Sequence, residues 1–460
     1  MNPVKIAIFL LLFPIFVGDW IPRQDRDDDL VNGVQQSKLR WQDCAMSPVV
    51  RRETDIQLSL HIADTRIERG HQGKREKQFP VTVWLDKLEE VASPAAAGSG
   101  EPNLTHGADG HLYLSWIETN SAGGATLRFS VWKNEAWSKS RSVATGDDWF
   151  VNWADFPSVC ALADGTLAAH WLQKSSGGTY SYDVKISLSQ DHGKTWSKPL
   201  SPHRDGTLTE HGFVSLVPLT STSFGVFWLD GRETDQNGDM ALRFTTLSRN
   251  GLLGKDQLVD DRACTCCQTS AVVLASGDPF VAYRGRTQDE TRDIWIATVQ
   301  RKNGVRRRTI NPDGWVINGC PVNGPSTRRQ GNTVVVAWPT VKNKQPEVRV
   351  SISTDSGKTF GPPIRVDDGN PLGRVDVALV NSEAAVVSWL ESTGDTTSIR
   401  WRLIDRRGTS KASQQVAKTL GSRASGFPQL ECFEGSLFFA WTDATKPARV
   451  RTARFPIDIK

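Results

Sequence analysis

The sequence predicts an all-β chain closed into a seven-bladed β-propeller with four antiparallel strands per blade, and three observations lead there. A short apolar run ending in an aromatic recurs seven times, at Trp116, Trp171, Trp228, Tyr283, Trp338, Trp389 and Trp441. Successive aromatics lie about 51 to 57 residues apart, and self-similarity near such a period marks a propeller or solenoid. Between them, runs alternating with period two are punctuated by Gly, Pro, Asn and Asp, and no long stretch repeats every 3.6 residues; such segments are strands and turns.

Each repeat supplies its strands in order. A first run lies about 12 to 16 residues before the aromatic (NLTHGA, FPSVCAL, GFVSLVPL, CQTSAVVL, PVNGPS, VDVALV, FPQLECF), and the apolar run ending in the aromatic is the second. An alternating run such as KISLS or EVRVSIS is the third, and a fourth follows a turn. Four strands make one blade, and a closed ring protects sheet edges. The seventh repeat is short: only ARVRTARF follows Trp441 before the end. The segment PVTVWLD, Pro80–Asp86, is expected to supply its missing strand and close the ring, hiding an open edge. Six blades are the alternative, with one repeat rebuilt as an insertion.

Ahead of the repeats, Lys5 precedes a dozen apolar residues, Ile6–Val17. That pattern fits an export signal over residues 1–18. It is short for a membrane span, so an uncleaved anchor is the alternative to cleavage. Residues 19–79 are charged and irregular, an arm or linker before a propeller spanning 80–460. The expected location is therefore periplasmic, cell-surface or secreted. The 55 basic and 51 acidic side chains leave a net charge of only +4, with the signs interspersed, which argues against a nucleic-acid partner.

Two turns share one pattern. Ser189 to Trp196 and Ser353 to Phe360 both read S-x-D-x-G-x-T-aromatic. The Asp carboxylate (Asp191, Asp355) is placed to accept backbone N–H bonds, Gly193 and Gly357 to take φ > 0, and Trp196 and Phe360 to fold back on the sheet. This resembles the Asp-box (BNR repeat) of the sialidase-like β-propellers, and with the repeats the resemblance covers residues 80–460. The stretch from Cys264 to Ile294 also resembles a block of exported bacterial proteins of that type. Asp-boxes are structural and fix no activity.

In a propeller the first strand of each blade lines the central channel, and the loops leading into it open on the face opposite the Asp-boxes. Those loops carry His106, Asp155, Glu210 with His211, Cys266 with Cys267, Cys320, Arg374 with Asp376, and Arg423 with Ser425. The ends of the second strands add Asp230, Arg232, Arg284, Arg286, Glu290, Arg292 and Asp293.

Three readings of this mouth compete. The resemblance implies a glycoside hydrolase that grips a sugar carboxylate with arginines, with a Tyr–Glu pair as nucleophile and an Asp as acid/base, and that needs no cofactor. On this chain the candidates are Asp155, Glu210 and Tyr283, with Arg232, Arg284, Arg286, Arg374 and Arg423 as the clamp, since guanidinium matches carboxylate. The Arg-Ile-Pro signature of true sialidases is absent; Ile21-Pro22-Arg23 has the residues in another order. The second reading is metal or thiol chemistry: Cys266, Cys267, Cys320 and His211 are a donor set for copper or zinc. Against it stands a disulfide among Cys264, Cys267 and Cys320, the ordinary fate of clustered cysteines after export. The third is a non-catalytic platform for a glycan, a small acidic ligand or a protein, with Trp149 and Trp153 either stacking on sugar or filling contacts between blades. Cys160 and Cys432 read as core thiols. His192 and His203, in a turn and a polar loop, are assigned no chemistry.

Overall fold

The computed structural model describes residues 83–85, 87–408 and 410–459; the expected export signal, 1–18, and the charged arm, 19–79, lie outside them. Seven sheets follow one another along the chain, each an antiparallel meander. In blade 3, His211–Thr220 pairs with Ser223–Asp230, then Ala241–Ser248, then Gln257–Asp260. Blades 1, 4, 5 and 6 repeat the pattern from inner strands Ser99–His106, Ser270–Val273, Ser326–Gln330 and Pro371–Asn381. In blade 2, with inner strand Ser158–Ala161, the fourth position is a single bridge between Ile186 and Leu200. Helical structure among the described residues is limited to two short 3-10 turns, Thr234–Gln236 and Arg423–Ser425.

The ring closes as expected. Blade 7 takes Gln429–Phe433, Ser436–Asp443 and Arg449–Ile459 from the C-terminus. Its outer edge is covered from the N-terminal side, where Val83 pairs with Ile459 and Glu89 with Arg454. Those pairings tie the first described segment to the last and leave the final strand no bare edge.

The repeat aromatics hold neighbouring blades together. Trp116, Trp228, Trp338 and Trp389 are wholly buried. The second strands carry apolar side chains on both faces because both are covered: Phe224, Val226 and Trp228 of blade 3 meet Leu172, Tyr182, Val184 and Ile186 of blade 2. Each such side chain contributes roughly 1.5–3 kcal/mol when fully buried.

The Asp-boxes are turns, as their pattern predicts. Asp191 accepts from the amides of Lys194 and Thr195 at 3.0 and 2.9 Å, and Asp355 from the amide of Thr359 at 2.9 Å. Gly193 and Gly357 have φ of 79° and 77°. A side chain at Gly193 would run into Phe129, on which Trp196 packs edge-on at 5.9 Å.

Candidate functional site

The register places a polar girdle in the channel. In every blade, the inner-strand residue opposite the one preceding the repeat aromatic is polar: Asn103, Ser158, Ser215, Ser270, Ser326, Asp376 and Gln429. All seven line a central cavity of about 420 Å³. Neighbours are cross-linked around the ring, Asn103 to Gln429 at 3.1 Å and Ser326 to Asp376 at 2.6 Å. Asp376 also accepts from the amide of Leu430 at 2.8 Å, so it ties three blades rather than facing a ligand.

Two residues ahead of the girdle, three blades carry the same strained bulge. Glu101, Phe213 and Arg374 have φ of 50°, 52° and 54°, each at a break in register and each directly preceded by a glycine, Gly100, Gly212 and Gly373. Such a conformation costs roughly 1–3 kcal/mol and persists only where the surroundings impose it. Two bulges are held from the preceding blade: Asp155 Oδ2 accepts from the amide of Phe213, and Asn323 Oδ1 from that of Arg374, both at 2.7 Å. Any side chain at Gly212 or Gly373 would collide with those two holders.

Around these bulges the mouth gathers an acidic and a basic side. Glu210, just before the inner strand of blade 3, accepts a 2.6 Å hydrogen bond from the Tyr182 hydroxyl of blade 2. Tyr182 is buried and stacks on Phe150 at 4.1 Å. Burial, helped by the charge of Asp155, raises Glu210 to about 8 against the lowering effect of the Tyr182 bond. Burial likewise raises Asp155 to about 7 and Glu101 to about 7. Asp155 Oδ1 accepts no hydrogen bond from the described residues. Exposed Tyr180 lies in the fields of Glu210, Cys320 and Arg423, which brings blades 2, 3, 5 and 7 together at one rim. On the basic side, Arg374 is buried over the Trp153 ring at 4.8 Å. It donates only to the carbonyls of Ser422 and Gly426. Burial and the nearby Arg423 lower it to about 10, still cationic at neutral pH. Arg423 is exposed and has no carboxylate partner among the described residues.

The other candidate arginines and the tyrosine are committed elsewhere. Arg232 grips Asp230 through two bonds of 2.7 Å and reaches Asp256 at 2.9 Å. Arg286 pairs with Glu290 and Asp239. Arg284, almost wholly buried, donates to the carbonyls of Asn323, Arg292 and Pro339 and lies over Trp315, stitching blade 4 to blade 5. The end of the blade 4 second strand is thus covered by the blade 5 loop rather than open to the mouth. Tyr283 is buried with its hydroxyl on Asp260 at 2.5 Å, at the outer strand of blade 3. The hydrogen-bonded Tyr–Glu pair of this mouth is Tyr182–Glu210. Trp149 stacks on Trp171 between blades, whereas Trp153 carries Arg374.

The cysteines converge without His211. All six described cysteines are free thiols. Cys264 Sγ lies 3.9 Å from Cys266 Sγ and 3.6 Å from Cys267 Sγ, with the three sulfurs mutually within 4.8 Å. Cys320, exposed, reaches this group from the blade 5 loop through Cys266 and through Thr265 at 3.3 Å. Hydrogen bonds from Cys266 and Cys267, then the Arg292 charge, hold Cys264 well below the ordinary thiol range. His211 instead stacks on His203 at 3.8 Å, planes 6° apart. Asp205 Oδ2 lies 3.3 Å from His211 Nε2 and 3.6 Å from His203 Nδ1. Asp230 and Asp183 lie at 3.8 and 3.9 Å from the pair. Both ring nitrogens of His211 and Nε2 of His203 are buried without a hydrogen-bond partner. Imidazole lone pairs lie in the ring plane, so two parallel stacked rings do not aim at one ion. This stack escapes sequence reasoning because His203 sits in a polar loop; the signal is SPHRDGTLTEH, with two histidines and Asp205 inside nine residues.

No family model and no curated protein matches the chain. Solved structures similar to it include a lectin from Burkholderia pseudomallei, 10% identical with a TM-score of 0.52 over 76% of this chain and 97% of that one. A protein of unknown function from Dyadobacter fermentans is 14% identical with a TM-score of 0.49, covering 81% of this chain and 99% of the other. An α-L-arabinofuranosidase of Fusarium graminearum is 15% identical with a TM-score of 0.43, over 80% and 97%. At these identities the likeness to the lectin is one of fold.

Proposed function

We propose that the chain is an exported propeller that recognises and processes an acidic, carbohydrate-like ligand at the channel mouth. The observation that carries this reading is the presence at one mouth of two cations with no carboxylate partner among the described residues, Arg374 and Arg423, and of two acids, Asp155 and Glu210. A cationic guanidinium without an acidic partner is an anion site, and a ligand carboxylate suits it. Asp155 has an oxygen to spare, and burial raises its carboxyl to about 7, the range that suits general acid–base work. Tyr182 with Glu210 provides a hydroxyl already bonded to a potential base. Export rests on the Ile6–Val17 segment; no helix of the described residues is long and apolar enough to cross a membrane.

The test uses the purified full chain against aryl glycosides of neuraminic, glucuronic and galacturonic acids and their neutral counterparts, with binding followed by calorimetry. Binding of an acidic sugar that Arg374→Met weakens by about 10- to 100-fold supports the reading, and release of the aryl group that Asp155→Asn slows by about 10²- to 10⁴-fold adds the chemistry. Binding without turnover reduces the role to a lectin-like platform. Equal indifference to acidic and neutral sugars sinks the proposal.

A further inference from the structure

A second site stands in the wall of the same mouth, independent of the carboxyl–arginine set. The loop from Asp260 to Gln268 crosses from the outer strand of blade 3 to the inner strand of blade 4. Its backbone is anchored: the amide of Ala263 donates to Met240 at 2.7 Å, and that of Cys264 to the carbonyl of Arg284 at 2.9 Å. The anchoring turns Cys264 and Cys267 inward, 1% and 2% exposed, and leaves Cys266 half-buried above them. We propose that Cys264, Cys266 and Cys267 bind one thiophilic d10 metal ion, monovalent copper or zinc, with Cys320 of the neighbouring loop as the fourth donor where the ion requires four.

Distance decides between this and a disulfide. Bonded sulfurs stand about 2.05 Å apart, and the sulfurs here are separated by 3.6 and 3.9 Å. An ion with metal–sulfur bonds of about 2.3 Å spaces its sulfurs about 3.8 Å apart in a tetrahedron and about 4.0 Å in a trigonal plane. The observed spacings fit those figures before any ion is added. The surroundings are those of bound thiolates. Arg292 Nη1 donates to Cys264 Sγ at 3.1 Å, and the amide of Asn323 donates to Cys267 Sγ at 3.4 Å. Such outer bonds orient ligating sulfurs and offset their charge. Arg292 is itself fixed by Glu290 at 2.7 Å. A donor set of thiolates alone selects soft ions over calcium or magnesium. Three sulfurs satisfy copper(I); zinc in a closed site takes four, and the exposed Cys320, hydrogen-bonded to the Cys266 side, is the donor within reach. The charges of these sulfurs act on Tyr180 and Glu210, so a bound ion would act on the mouth of the proposed ligand site.

The test is competition on the reduced full chain under anaerobic conditions, with copper(I) against bicinchoninate and, separately, zinc against a chromogenic chelator, followed by X-ray absorption. One tightly held equivalent with a sulfur-only shell at about 2.2–2.3 Å is expected. Three sulfurs with copper, retained in Cys320→Ser, identifies the three-coordinate site; four sulfurs with zinc, lost in Cys320→Ser, identifies the closed one. Arg292→Gln should weaken either by about 10- to 100-fold while leaving all four thiols in place. Cys264→Ser and Cys267→Ser should abolish binding, with near-ultraviolet circular dichroism confirming that the ring is intact. Wild-type protein whose thiols titrate but which holds neither ion above the level of a free thiol overturns the proposal, whatever the variants do. So does affinity that survives Cys264→Ser together with Cys267→Ser.

Discussion

Asp155 and Asn323 occupy the same place in their blades, three residues before the girdle serines Ser158 and Ser326, and each accepts a 2.7 Å bond from the bulged amide of the next blade. Holding a bulge therefore needs only an amide oxygen, as Asn323 shows. The carboxyl at 155 exceeds that structural need, and burial raises it to about 7. Because its folded value lies above its unfolded one, it contributes stability that is fully present below about pH 4 and lost as pH rises through about 7. Asp155→Asn should keep the fold and remove that loss, worth no more than roughly 4 kcal/mol above pH 7. Thermal melts from pH 4 to 9 would show a flatter profile. Turnover of the acidic glycoside should fall by about 10²- to 10⁴-fold. A variant that melts lower than wild type at every pH would make Asp155 a structural residue alone.

The Tyr182–Glu210 pair carries a different signature. The Tyr182 hydroxyl lowers Glu210, although burial leaves it at about 8. Tyr182→Phe removes the lowering bond, so any alkaline limb set by Glu210 in the binding or rate profile should move to higher pH. Glu210→Gln should abolish that limb. If Tyr182 is the attacking group, the phenylalanine variant also loses turnover while retaining ligand. A profile whose alkaline limb is unchanged in both variants would remove Glu210 from the titrating machinery.

The arginines separate by partner. Arg374 spends its side chain on two carbonyls and an indole face, and Arg284 on three carbonyls of the neighbouring blade and its own. Arg374→Met should weaken an acidic ligand by about 10- to 100-fold, the value of a charge-assisted bond. Arg284→Met strands buried acceptors and should cost roughly 3 kcal/mol or more of stability without a specific effect on binding. Calorimetry and denaturant titration on both variants check this. The opposite pattern would place the anion site on blade 4.

The ring was legible because blade geometry repeats: an aromatic every 55 residues or so is visible in one dimension, and the N-terminal closure followed from the short seventh repeat. The site was legible only where chain position maps directly onto the channel. Loops leading into inner strands brought Asp155, Glu210, Arg374 and Arg423 to one rim, and the CTCC run brought three sulfurs together. Reasoning failed where the third dimension intervenes. The ends of second strands look exposed, yet Arg232, Arg284 and Arg286 meet partners from other loops. Tyr182 reads as one more aromatic of a third strand, and only its bond to Glu210 sets it apart. Adjacency of blades points His211 at the sulfurs, but it packs against His203, eight residues earlier in the chain.

That histidine stack makes the last prediction. His203 is buried, and burial followed by the charge of His211 lowers it to about 4. Its folded value lies below the unfolded one, so the unfolded chain binds the proton first as pH falls. Stability from this group is complete above about 6.5, the ordinary histidine value, and is lost progressively down to about pH 4. Asp205 reaches a nitrogen on each ring with one oxygen and stays ionised: burial would raise it, but bonds from Thr207 and the charges of His211 and Arg232 outweigh that. His203→Gln keeps a polar group beside Asp205 and removes the titration. The variant should therefore lose less stability than wild type between pH 6.5 and 4, measured by urea denaturation at fixed ionic strength. His170, buried and lowered to about 3, pulls the same way, so the wild-type slope should shrink rather than vanish. An unchanged slope in His203→Gln would mean the stack already carries a proton in the folded ring, with Asp205 and Asp230 as its counter-ions.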